Sequence, residues 1–248
     1  MEPIQLIILF LVSIFAGMYG VIAGGPSLVT IPTLIFFNVN PIIAIASNRV
    51  GFIGTCIAGL YQFHVKKNIS YKLALILALP ALIGSFIGAK LIINVDEGIM
   101  EKIIGIFTLS LLIIALVKPN IGLKEIKKEY TAYHYLAGII LSFLFGIYGG
   151  FYGAGIGTFI SYVLVFIFGE TFFRSAGTNK IPLLLLSLSA SLVFFLEGIV
   201  VWSIAITIFL GSFLGSYISA AYADRIDNKY IKYMFLGVAG ILGIKLLF

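Results

Sequence analysis

Cysteine and charge are both nearly missing from this chain. The single thiol, Cys56, cannot close an intrachain disulfide and has no soft ligand near it, so it reads as a small buried hydrophobe. His64 and His134 sit near the ends of apolar runs. The sequence offers no metal-ligand cluster, no Ser-His-Asp set and no pair of acids inside an apolar run, which removes the usual hydrolytic and metal chemistries. Charged residues make up 10% and apolar residues 61% of the 248 positions. Soluble domains hold about 25% and about 45–50%. No polar stretch is long enough for a separate soluble domain, so the whole chain reads as one all-α integral membrane unit. A basic leader and a small-residue cleavage site are absent too, and Met1-Glu2-Pro3 is expected to open a retained first helix.

Apolar runs long enough to cross about 30 Å of hydrocarbon recur along the chain. They come in two matching sets. Phe15 to Gly20 with Gly24-Gly25-Pro26 matches Phe145 to Gly150 with Gly153-Ala154-Gly155. Asn48-Arg49 matches Asn179-Lys180, and Gly84-Ser85-Phe86 matches Gly211-Ser212-Phe213. The offsets are 129 at the Gly24 and Gly153 pair (130 across Phe15 to Gly20), 131 and 127 residues, in one order. A duplication follows: residues 1–117 and 131–248, joined by a polar linker at 118–130. Each half holds five apolar segments, at 4–22, 27–37, 41–63, 70–93 and 99–117, then 132–152, 156–168, 172–196, 200–222 and 231–247. The second of each set is short, about 16–20 Å as helix.

The formal charge of +6 suggests nucleic acid in a soluble protein, but here the cations gather in particular loops. With the Lys66, Lys67 and Lys72 loop placed in the cytoplasm, the linker and the Arg225–Lys232 loop join it. Eleven of the 16 cations, Arg174 included, then lie on that side. Equivalent loops of the two halves carry opposite bias, which predicts inverted repeats of five crossings with both termini outside. Such repeats commonly hold a transport site near mid-membrane, built from interrupted helices.

Arg49 and Lys180 lie deep in their apolar runs, and neither run supplies a carboxylate. An intramembrane cation marks a ligand or a pathway, and the missing partner reads as a small anion. Asn48, Asn179, Ser47 and Thr178 add neutral hydrogen-bonding groups beside the cations. The alternative is a structural cation bonded to carbonyls of a broken helix. Clustered glycine, with Pro26 in the first half, interrupts each first run and exposes backbone N–H groups near Gly24, Gly25 and Gly153. Close helix packing through small residues is the competing reading. Tyr19 and Tyr148 hold matching places and read equally as ligand contacts or packing.

These motifs together resemble the sulfite exporter TauE/SafE family, also described as the toluenesulfonate uptake permease group, over about residues 4–246. The resemblance implies a multi-pass carrier of sulfite, sulfonates or sulfoacetate in the plasma membrane, without a resident cofactor. A secondary anion transporter is therefore expected, working by alternating access, with an anion channel and a membrane enzyme as alternatives. A proton is a candidate coupling ion, although no buried carboxylate is visible to carry it.

Overall fold

A computed structural model describes residues 1–93, 95, 130–223 and 225. The expected segments at 99–117 and 231–247, and nearly all of the linker, lie outside the described residues. Among the described residues every regular element is helical. These are α1 (Pro3–Ala23), α2 (Ser27–Phe36), α3 (Pro41–Val65), α4 (Tyr71–Ile92), α5 (Ala132–Phe151), α6 (Ile156–Tyr162, continued by a wider turn over Val163–Ile167), α7 (Phe172–Thr178), α8 (Lys180–Leu196) and α9 (Trp202–Ala221). The bounds fall within two residues of the eight expected segments in this range.

Local chemistry sets the helix ends. Asn40 starts α3 by accepting from Ile42 N (2.9 Å) and Ile43 N (3.2 Å), with Pro41 preset at the first helical position. Thr171 starts α7 by accepting from Arg174 N at 3.1 Å. α7 and α8 act as one span, because Asn179 N–H bonds Ser175 O (2.9 Å) and Asn179 O accepts from Leu183 N (3.0 Å). Gly24 ends α1 with a left-handed φ of 90°, and Gly153 has a φ of 73° just after α5. Side chains with a Cβ rarely adopt this geometry.

Among the described residues, six apolar helices or helix pairs are long enough to cross a membrane, while Ser27–Phe36 and Ile156–Ile167 are shorter. Lipid is the natural solvent for their outer faces: Ile4, Ile7 and Leu11 on α1, Leu75, Leu79 and Ile83 on α4, and Leu136, Ile140 and Leu144 on α5 are all exposed.

Packing exchanges partners between the halves. α1 and α3 lie against α9, while α5 and α8 lie against α4. Glycine lets the backbones meet, as the small-residue reading anticipated. A Cβ on Gly17 of α1 would stand 2.9 Å from Ser212 Cα on α9, and one on Gly146 of α5 would stand 2.9 Å from Ala81 Cα on α4. Likewise Gly215 faces Ile14, and Gly84 faces Phe143 and Ile147. These contacts fit an offset of 131 between α4 and α9, while Gly150 against Ser85 and Gly88 against Ile147 fit the 127 read from the Gly-Ser-Phe match equally well. The two registers differ by four residues, about one helical turn, so both put small residues on the same face and sequence alone could not separate them.

One end of the molecule packs Phe63, Ile69, Ala176, Ala220 and Ala223 together. Lys66, Lys67, Arg174 and Arg225 gather around this end, and Arg174 Nε donates to Ser70 Oγ at 2.9 Å. The opposite end packs Ile92, Phe194, Ile199 and Val200. The first is the basic pole.

Candidate functional site

The glycine breaks after α1 and α5 meet inside the protein. A Cβ on Gly24 would stand 3.0 Å from Gly157 Cα, and one on Gly25 would stand 3.0 Å from Gly155 Cα. Each break is tied by a tyrosine from its own half. Tyr19 OH donates to Gly25 O, and Tyr148 OH donates to Ala154 O at 2.6 Å. Both hydroxyls thus have a bracing task, in the matched positions the sequence indicated.

The two asparagines fasten the short helices. Asn48 Nδ2 donates to Ser27 Oγ (2.9 Å), and its Oδ1 accepts from Thr30 Oγ1 (2.5 Å). Asn179 Nδ2 donates to Ser161 Oγ (2.7 Å) and Gly157 O (3.2 Å). Sequence reasoning missed Ser27, Thr30 and Ser161 as members of this constellation. Thr30 and Ser161 are 131 residues apart, the same offset as the asparagines, and that was the available signal.

Ser47 and Thr178 cross between the halves. Ser47 Oγ accepts from Val201 N at the start of α9 (3.0 Å), and Thr178 Oγ1 accepts from Ser70 N at the start of α4 (3.1 Å). Again both acceptors and both donors obey the 131-residue offset.

The cations also cross. Arg49 rises from α3 to the break after α5, where its guanidinium lies against Gly153. Nη2 donates to Gly149 O and to Tyr152 O, the latter at 3.1 Å. Arg49 is 1% exposed, yet its Nε and Nη1 have no hydrogen-bond partner among the described residues. Half of the fork is structural, as the alternative reading expected, and half is left with unmet donors among the described residues. Lys180, also 1% exposed, donates from Nζ to Asn179 Oδ1 at 3.0 Å. Its stem covers Gly59 of α3 beside Val21 near the end of α1. An ammonium carries three donors, and this contact uses one.

One expectation needs correction. The sequence reading saw no buried carboxylate, but Glu170 in the α6–α7 connection is only 3% exposed. Its Oε1 accepts from Thr178 Oγ1 at 3.3 Å and lies 3.9 Å from Arg174 Nε. Ser70 at the start of α4 bonds Thr178 and Arg174, the two residues beside this carboxylate. Glu170 is the one acidic residue between Glu129 and Glu197, which could have drawn notice.

A cation pair buried at two helix breaks, in a polytopic chain, is the setting against which relatives can be weighed. The family model for the sulfite exporter TauE/SafE matches residues 9–246. The chain belongs to that family. A probable membrane transporter protein of Haemophilus influenzae is 28% identical over 87% of this chain and 84% of its own length. The probable membrane transporter YfcA of Escherichia coli K12 is 27% identical over 100% of this chain and 91% of its own. YdhB of Bacillus subtilis, also described as a probable membrane transporter, is 25% identical over 98% and 99%. No solved structure matches the chain significantly. A multi-pass membrane protein of a transporter family is thereby established.

Proposed function

We propose that this family member is a secondary transporter of a small sulfur oxyanion or organosulfonate, such as sulfite, thiosulfate or a sulfoacetate-like anion. It works in the plasma membrane by alternating access between two inverted repeats. The observation that carries this reading is the Arg49 guanidinium, buried with Nε and Nη1 lacking partners among the described residues. Leaving donors of a buried charge unmet costs about 1–3 kcal/mol or more each, and an oxyanion is the ligand that meets two adjacent N–H groups of a planar fork. Arg174 and Glu170 pair with each other at 3.9 Å, and in this reading a mobile anion supplies the charge opposite Arg49 and Lys180.

Further support comes from the exchanged contacts, whose equivalent residues lie 129 or 131 positions apart. A two-fold relation in the membrane plane makes α1 against α9 equivalent to α5 against α4. Direct anion contacts fall to Arg49 and Lys180. Ser47, Thr178, Asn48, Asn179, Tyr19 and Tyr148 hold the breaks and short helices around them, and Gly24, Gly25 and Gly153 shape the backbone of the path. The basic pole faces the cytoplasm under the charge bias of membrane loops. Buried Glu170 is the group through which a proton would couple to the Lys180 end.

The test is flux in liposomes of the purified chain, with sulfite, thiosulfate and sulfonates offered in turn. Flux accelerated by the same anion on the opposite side is expected, which marks a carrier and distinguishes it from a channel. Arg49→Ala and Lys180→Ala, shown folded by size-exclusion chromatography, should reduce flux to the lipid background. Undiminished flux in folded variants would remove the two cations from the transport path.

A further inference from the structure

The sequence suggests that Arg49 and Lys180 converge on one anion, yet the structure sends them to different breaks. Arg49 meets the end of α5 at Gly149, Tyr152 and Gly153. Lys180 meets the end of α1: a Cβ on Gly59 would stand 2.9 Å from Lys180 Cε and 2.8 Å from Val21 Cγ2. Helix α3 runs past both places and serves as a ruler. Arg49 and Gly59 are ten positions apart in sequence, or about 15 Å along a helix. Helical side chains lean toward the N-terminus, which carries the Arg49 guanidinium further from Gly59. An oxyanion held by hydrogen bonds of about 3 Å to the guanidinium therefore lies beside Gly153, away from the Gly59 end of α3 where the Lys180 stem rests.

Between the two cations stands the contact of the breaks, Gly24 with Gly157 and Gly25 with Gly155. From Val21 the chain runs to Gly24 and Gly25, across that contact to Gly155, and back to Gly153 beside Arg49. We propose that the path holds two anion positions in series, one at each cation, with the glycine contact as the partition between them. This rests on the transport reading above. The Arg49 position takes two oxygens of a sulfur oxyanion on Nε and Nη1. The Lys180 position, nearer the basic pole, takes one oxygen on a compact ammonium. Conformational exchange of the halves then moves the anion past the partition.

Equilibrium binding of ³⁵S-thiosulfate to the full chain in lipid nanodiscs reads this directly. Two anions per wild-type chain are expected, with Arg49→Gln and Lys180→Gln each retaining one and the double variant retaining none. A wild-type count of one overturns the serial arrangement, and it does so without any variant having to fold. If that single anion is lost in either variant, the cations share a common site and the transport reading stands. A wild type that binds no thiosulfate, sulfite or sulfonate overturns the transport reading and this inference with it.

Discussion

Replacing Gly157 by alanine sets two backbone effects against each other, and the structure says which wins. Gly157 is a helical residue of α6, and alanine at such a position ordinarily stabilises a helix by about 0.5–1 kcal/mol. Here the new methyl would stand 2.7 Å from Gly24 Cα and 2.9 Å from Gly24 C. Ordinary carbon contacts lie near 3.5–4.0 Å, so the two breaks must separate by about 1 Å. Both neighbours are main chain, held by the tyrosine and asparagine bonds, and overpacking of this kind costs about 1–3 kcal/mol. The expected net loss is about 1–2 kcal/mol. For a chain of this size that lowers the melting temperature by about 2–8 °C, measured by thermal unfolding in detergent with retention of the monodisperse peak as readout. Gly138→Ala is the comparison, because its methyl would meet side chains, the Phe168 ring at 2.8 Å and Leu77 at 3.2 Å, and no main chain. Gly138→Ala should lose less than Gly157→Ala. If Gly157→Ala loses no more than that comparison, the breaks do not meet as described.

Two further outcomes are expected. Thr30→Val and Ser161→Ala each remove a hydroxyl partner of Asn48 or Asn179; each should cost about 1–2 kcal/mol in the same unfolding assay, and a neutral result in both would show that the asparagines do not hold the short helices. For orientation, Lys66→Cys in a Cys56→Ser background should react with an impermeant maleimide only after cells are opened, since loops rich in Lys and Arg stay in the cytoplasm; labelling of intact cells would reverse the assigned sidedness.

Much of this protein was legible in its residues. Apolar runs of about 20 residues can only be satisfied as helices in lipid, where backbone groups have no water to bond. Hence the eight described segments needed no tertiary information. The same holds for the breaks: Gly24-Gly25-Pro26 and Gly153-Ala154-Gly155 interrupt a hydrogen-bond ladder wherever they lie. Arg49 and Lys180 also declared themselves, because a cation in hydrocarbon demands an explanation in any fold.

What the sequence left open is what depends on contact between distant segments. Small residues that recur every helical turn did not say which glycines of α1 and α5 would meet α9 and α4. The tasks of Asn48, Asn179, Ser47 and Thr178 were equally open, since a polar side chain beside a cation serves a ligand or a neighbour with the same atoms. Tertiary structure gave them neighbours: Ser27, Thr30, Ser161, Val201 and Ser70. It also buried Glu170, which lies in a connecting loop by sequence and, in space, beside residues bonded to the start of α4. The separation of the two cations was likewise decided by the fold. The sequence counts residues along one chain, whereas the distance between Arg49 and Lys180 depends on where α3 and α8 cross the ends of α5 and α1.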